Sequence, residues 1–127
     1  MSELRVLMVD DHALVREGLR GILERHPNVQ IVGEAGNGLE AVVLAQDLQP
    51  DVVMMDVRLP ILDGVEATRR IKQAFPTTTV VGLSVQKTHS VEHAMREAGA
   101  DAFIVKDLTE EQLYRTIMLA LERHQTL

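Results

Sequence analysis

The sequence predicts an α/β domain built on a parallel sheet, and two observations carry that expectation. Short apolar runs alternate regularly with amphipathic stretches along the whole chain, the pattern of strands joined by crossover helices. Four of those runs (6–9, 52–55, 80–83 and 102–105) are followed at once by charged or hydroxyl residues: Asp10-Asp11, Asp56, Ser84 and Lys106. In a parallel sheet the carboxyl ends of the strands share one edge, and ligands bind in the crevice outside it. Residues spread over the chain would therefore meet in one pocket.

Each element has its own justification. The first strand is expected over 5–9. A helix over 13–26 places Val15, Leu19, Ile22 and Leu23 on one face, and Pro27 and Asn28 stop it. The second strand, 29–34, is less apolar than the others, as suits a sheet edge. Asn37-Gly38-Leu39-Glu40 starts a capped helix that runs to about Leu48, before Pro50. The third strand, 52–55, is apolar throughout and so central, buried on both faces. A third helix starts at Asp63-Gly64-Val65-Glu66, turns Val65, Thr68, Ile71 and Phe75 inward, and ends at Pro76. The fourth strand is 80–83. Val91, Ala94, Met95 and Ala98 follow at helical spacing, closed by Gly99. The fifth strand is 102–105, and the capping box Thr109-Glu110-Glu111-Gln112 opens a last helix with Leu113, Ile117, Ala120 and Leu121 inward. Five strands and five helices absorb the chain, so 1–127 reads as a single domain with no output domain.

Size and charge narrow the function. A chain of 127 residues with 46% hydrophobic content supports one folded core. A net charge of −6 and a pI near 5.3 argue against a broad nucleic-acid footprint. Without cysteine there is neither a disulfide nor a thiolate metal site. The N-terminus lacks the pattern of a signal peptide, and no apolar run approaches the ~20 residues of a bilayer span. The expectation is a cytoplasmic domain without a membrane partner.

The acidic residues set the chemistry. Asp10-Asp11 alone would fit a helix cap equally well. A third carboxylate, Asp56, ends a strand expected beside the first, and two carboxylates about 5 Å apart repel by roughly 3 kcal/mol at an effective dielectric of ~20. Three in one crevice call for protonation or a cation, and an all-oxygen donor set suits Mg²⁺. A carboxylate can act as a nucleophile and carry a phosphoryl group as an acyl phosphate. The Ser84 hydroxyl and the Lys106 ammonium would meet the charge on its oxygens. Asp56 is the expected counter-charge of Lys106.

With these residues in place, the chain resembles a receiver domain of the two-component response regulators over nearly its whole length. The resemblance rests on V-L-M-V-D-D-H at 6–12, D-V-V-M-M-D-V-R-L-P at 51–60 with D-G at 63–64, G-L-S at 82–84 and A-G-A-D-A-F-I-V-K-D at 98–107. It implies a flavodoxin-like, doubly wound five-stranded parallel sheet in the order 2-1-3-4-5. It also implies a signalling switch that catalyses only its own phosphorylation and dephosphorylation, with a sensor histidine kinase as partner and Asp56 as phosphoacceptor. Asp11 and Asp56 would ligate Mg²⁺, Asp10 would act through water, and the Arg58 backbone carbonyl would add a ligand. Ser84 and Phe103 would be the switch residues, Lys106 the phosphate-binding cation, and Arg58 and Gln86 would tune the dephosphorylation rate. Homodimerisation on phosphorylation is part of the same expectation.

Asp-Asp-His and Lys106-Asp107 resemble the LuxR/FixJ-type subgroup, whose members bind DNA through a C-terminal helix-turn-helix absent here. That likeness suggests a chain cut before an output domain. Two positions depart from the commoner pattern. Asp107 stands where many receivers have a cis proline; a non-proline cis bond costs ~3 kcal/mol, so trans is expected here. Val85 is bulkier than the usual alanine, and that bulk could narrow access to the phosphoryl group.

Other readings fit less well. A receiver of a hybrid histidine kinase and a non-phosphorylated pseudo-receiver remain as alternatives, though all five key groups speak against the latter. A haloacid dehalogenase-type phosphatase would need a second aspartate where Arg58 stands, and no G-x-G-x-x-G follows the first strand for dinucleotide binding. His89 and His93, four apart, have no evident third metal ligand. Met8, Met54 and Met55 read as core. Arg69, Arg70 and Lys72 read as a solvated basic face, and Tyr114 as a partner-facing residue.

Overall fold

A computed structural model describes residues 3–85, 88–106 and 110–123. In chain order the elements are β1 (Leu4–Val9), α1 (Ala13–Leu23), β2 (Val29–Ala35), α2 (Gly38–Leu48), β3 (Val52–Asp56), α3 (Gly64–Ala74), β4 (Thr79–Ser84), α4 (His89–Glu97), β5 (Ala102–Val105) and α5 (Glu110–Glu122). All strand pairs are parallel, and the sheet runs β2-β1-β3-β4-β5. Order and element count match the expectation.

The strand alternation sorts the core into two layers. Leu7, Val9, Val53 and Met55 point to one face and pack with Ala41, Ala45, Ala67, Ile71 and Met95 from α2, α3 and α4. Val6, Met8, Val52 and Met54 point to the other and pack with Leu19, Leu23, Leu113 and Ile117 from α1 and α5. Every residue of β3 is buried, as a strand covered by helices on both faces must be. The edge strand β2 is mostly half-buried.

Local chemistry sets the ends. Asn37 accepts from the Glu40 amide (2.8 Å) and Asp63 from the Glu66 amide (2.9 Å), each satisfying a free donor of a helix start. Gly99, at φ +111°, closes α4 with paired bonds from Gly99 N–H to Arg96 O and from Ala100 N–H to Met95 O. α1 stops at Leu23, three residues short of the expected end. The Arg25 and His26 amides bond to carbonyls three residues back, a tightened turn in the residues leading to Pro27, which disfavours helix just before itself. The Thr109 capping box lies outside the described residues.

Lys72 departs from the expected solvated face. Arg69 and Arg70 do pair with Glu66 in solvent, but the Lys72 side chain is only 13% exposed and 3.0 Å from Asp101. Its ammonium also donates to the carbonyls of Pro76 and Thr78. It ties the end of α3 to the amino-terminal ends of β4 and β5, opposite the acidic residues.

Candidate functional site

The parallel ladder brings the four strand ends together. Asp56 pairs in register with Leu83 of β4, the Val57 amide donates to the Leu83 carbonyl (3.1 Å), and the Lys106 amide donates to the Ser84 carbonyl (2.8 Å). The loop after Asp56 folds back tightly, with the Gly64 amide on the Val57 carbonyl at 2.8 Å. A β-carbon on Gly64 would stand 2.0 Å from the Asp56 carbonyl oxygen, so only glycine admits the start of α3 there. Within the same loop Ile61 takes φ +69°, and the Leu62 amide reaches the Pro60 carbonyl at 2.7 Å. A β-branched residue in that three-residue turn is strained.

Asp10, Asp11, Asp56 and Lys106 converge as expected. Lys106 Nζ lies 2.7 Å from Asp10 Oδ2 and 3.2 Å from Asp56 Oδ1. Lys106 is therefore shared between its expected partner, Asp56, and Asp10, which is fully buried and holds the ammonium closer. Asp10 Oδ1 accepts the His12 amide at 2.9 Å. The exposed His12 ring brings Nδ1 within 3.0 Å of Asp11 Oδ1. One donor atom from each of Asp10, Asp11, His12 and Asp56 lies within 4.8 Å of the others.

The charges are unbalanced: three carboxylates face one ammonium. Burial pushes the Asp56 carboxyl up, the Asp10 carboxylate pushes it further, and Lys106 and the Arg58 amide only partly pull it back. Burial pulls the Lys106 ammonium down, but hydrogen bonding and attraction to Asp10 and Asp56 outweigh it, and the net direction is up. A hard divalent cation fits this edge: the surplus is negative, most donors are carboxylate oxygens, and Asp11 is partly open to solvent. Beside it lies a cavity of about 460 Å³ whose lining includes Asp11, Arg58 and Asp63.

Ser84 ends β4 half-buried, with its carbonyl on the Lys106 amide. Phe103 is buried in β5 against Gly82, where a β-carbon would come within 3.0 Å of its ring and 2.9 Å of the Met95 methyl. Gly82 thus leaves the ring its room. Val85 is 71% exposed, so its bulk stands in solvent. Gln86 and Asp107 lie outside the described residues. Tyr114 stacks on His26 at 3.8 Å, with its hydroxyl 3.4 Å from Asn28, and is half-buried rather than facing outward. His89 and His93 are exposed on α4, with His93 3.4 Å from Glu97. Arg16 went unread in the sequence: its guanidinium donates to the Asp10 carbonyl. The available signal was a basic residue in the first turn of α1, where the helix dipole disfavours it.

Residues 6–118 match the family described as response regulator receiver domain. The chain belongs to that family. This receiver is 38% identical over 117 residues to the transcriptional regulatory protein YdfI of Bacillus subtilis (strain 168), covering 92% of this chain and 54% of that protein. It is 37% identical over 116 residues to the response regulator GacA of Pseudomonas viridiflava, covering 91% and 54%. The receiver spans about half the length of the curated relatives it matches. Among solved structures it is similar to a LuxR-family two-component response regulator from Aurantimonas sp. SI85-9A1, with a TM-score of 0.90 and 34% identity over 96% of this chain and 87% of that one. These relatives agree with the likeness carried by Asp-Asp-His. Among the described residues no helix is long and apolar enough to cross a membrane.

Proposed function

We propose that this receiver is a phosphorylation-activated switch in which Asp56 takes the phosphoryl group from a phosphohistidine of a sensor kinase. One observation carries the reading: Asp56 ends a fully buried strand 3.2 Å from a lysine and within reach of two further carboxylates. An Asp56 oxygen attacks phosphorus, the P–N bond breaks, and the imidazole leaves with its bonding electron pair and gains a proton. Lys106 favours the ionised, nucleophilic form of Asp56 against burial and is placed to meet a phosphoryl oxygen. Mg²⁺ would be held by Asp11 and Asp56, by Asp10 through water, and by the Arg58 carbonyl, and would neutralise charge on the phosphoryl oxygens.

The new dianion then favours a packing in which the Ser84 hydroxyl moves toward it and Phe103 changes rotamer, altering the face formed by α4, β5 and α5. Gly82, which leaves the Phe103 ring its room beside Met95, supports this. Relatives named as transcriptional regulators support a transcriptional output, reached through a separate DNA-binding domain. Treatment with acetyl phosphate, followed by mass spectrometry, tests the reading. One adduct on Asp56 is expected, lost in EDTA and in Asp56→Asn. Undiminished labelling of that variant would refute the assignment, and no labelling of the wild type would favour a pseudo-receiver.

A further inference from the structure

Asp10 is held at three points. Its Oδ1 accepts the His12 amide at 2.9 Å, its Oδ2 lies 2.7 Å from the Lys106 ammonium, and its main-chain carbonyl accepts from Arg16 Nη1. The third contact differs in kind. The Asp10 carbonyl belongs to the peptide plane that leads into Asp11, and a peptide is rigid. A donor that fixes this oxygen therefore fixes the direction in which Asp11 leaves the strand. Arg16 is itself anchored: Nε donates to Glu34 on the edge strand β2 at 3.2 Å, and the guanidinium lies against Gly36. Glu34 also pairs with Arg20, one helical turn further on. One planar fork thus bridges β2 to the acidic turn, a geometry suited to guanidinium and not to ammonium. Its position in the first turn of α1 opposes the helix dipole, and α1 has no acidic residue in that turn to offset it. The contacts to Asp10 and Glu34 compensate.

We propose that Arg16 is a positioning residue for the divalent-cation site, acting through the Asp10–Asp11 peptide rather than through its charge. The inference rests on the cation reading above. Charge and geometry predict opposite signs, which makes it decidable. Removing a positive charge beside three carboxylates would by itself tighten cation binding. Loosening the peptide that aims Asp11 weakens it, and loss of such an outer partner typically lowers metal affinity about 10-fold or more.

The test is Mg²⁺ titration of the full chain by calorimetry, with melting temperature in EDTA as a separate readout. Arg16→Ala and Arg16→Lys should both bind Mg²⁺ about 10-fold more weakly. Arg20→Ala removes Glu34's other partner without touching Asp10 and should bind like wild type. The proposal is overturned if Arg16→Lys binds like wild type, if Arg16→Ala binds as tightly or more tightly, or if Arg20→Ala weakens binding equally. If wild type itself binds no Mg²⁺, the cation reading fails first and this inference with it.

Discussion

Replacing Asp56 with asparagine should stabilise the metal-free domain while abolishing its phosphorylation. Asp56 faces carboxylates with donor atoms no more than 4.8 Å away, each a repulsion of about 3–4 kcal/mol at an effective dielectric of ~20. Its attraction to Lys106 at 3.2 Å is about 5 kcal/mol on the same scale. Two repulsions outweigh one attraction by about 2 kcal/mol, and burial of the charge acts in the same direction. For a domain of this size that is roughly 6–10 °C in melting temperature.

The pH dependence follows from the direction of the Asp56 shift. Its folded value is raised, so its ionisation costs nothing below the unfolded value. The penalty grows as pH rises from the unfolded value toward the folded one and is complete above the folded value. The gain in Asp56→Asn should therefore be full near neutral pH and shrink on acidification. Scanning calorimetry of both proteins in EDTA, at about pH 7.5 and about pH 4.5, measures this. Saturating Mg²⁺ should narrow the gap, because ligand binding stabilises the wild type. A variant that melts at or below wild type in EDTA at neutral pH would show that the Lys106 pair outweighs the repulsion and would refute the reasoning.

Two further substitutions probe the same edge. Lys106→Met leaves Asp10 and Asp56 buried without their ammonium and should cost about 3–5 kcal/mol by denaturant titration. Because the Lys106 value is raised, the lysine stays charged and the deficit should hold steady from about pH 6 to about pH 9, shrinking only as pH rises beyond the unfolded value toward the folded one. Gly64→Ala places a β-carbon 2.0 Å from the Asp56 carbonyl and should destabilise by about 2 kcal/mol or more, because main chain rather than a flexible side chain must move. A melting temperature equal to wild type would show that the loop yields freely.

The fold was legible because it depends on period and order. β3 is an unbroken apolar run and is buried throughout, and β2, with Gln30 and Glu34, is the edge. The convergence of Asp10, Asp56 and Lys106 followed from the same source, since parallel strands place their carboxyl ends together whatever the side chains do. What escaped the sequence was partner choice. Lys106 lies closer to Asp10 than to Asp56 by half an ångström, a matter of side-chain reach that no spacing encodes.

Lys72 makes the point from the opposite end of the sheet. In sequence it sits beside Arg69 and Arg70 and reads as one more solvated cation. On the helix it lies next to the buried Ile71, and its stem packs against Gly99, where a β-carbon would come within 3.1 Å. Its head then reaches Asp101, 29 residues away. Arg16 behaves in the same way: its partners are Glu34, 18 residues on, and the carbonyl of Asp10. A long basic side chain has enough reach to leave the face its position assigns and enough apolar stem to bury on the way. The pattern along the chain therefore locates the strand ends and their chemistry, while the cations that hold those ends in register declare themselves only in three dimensions.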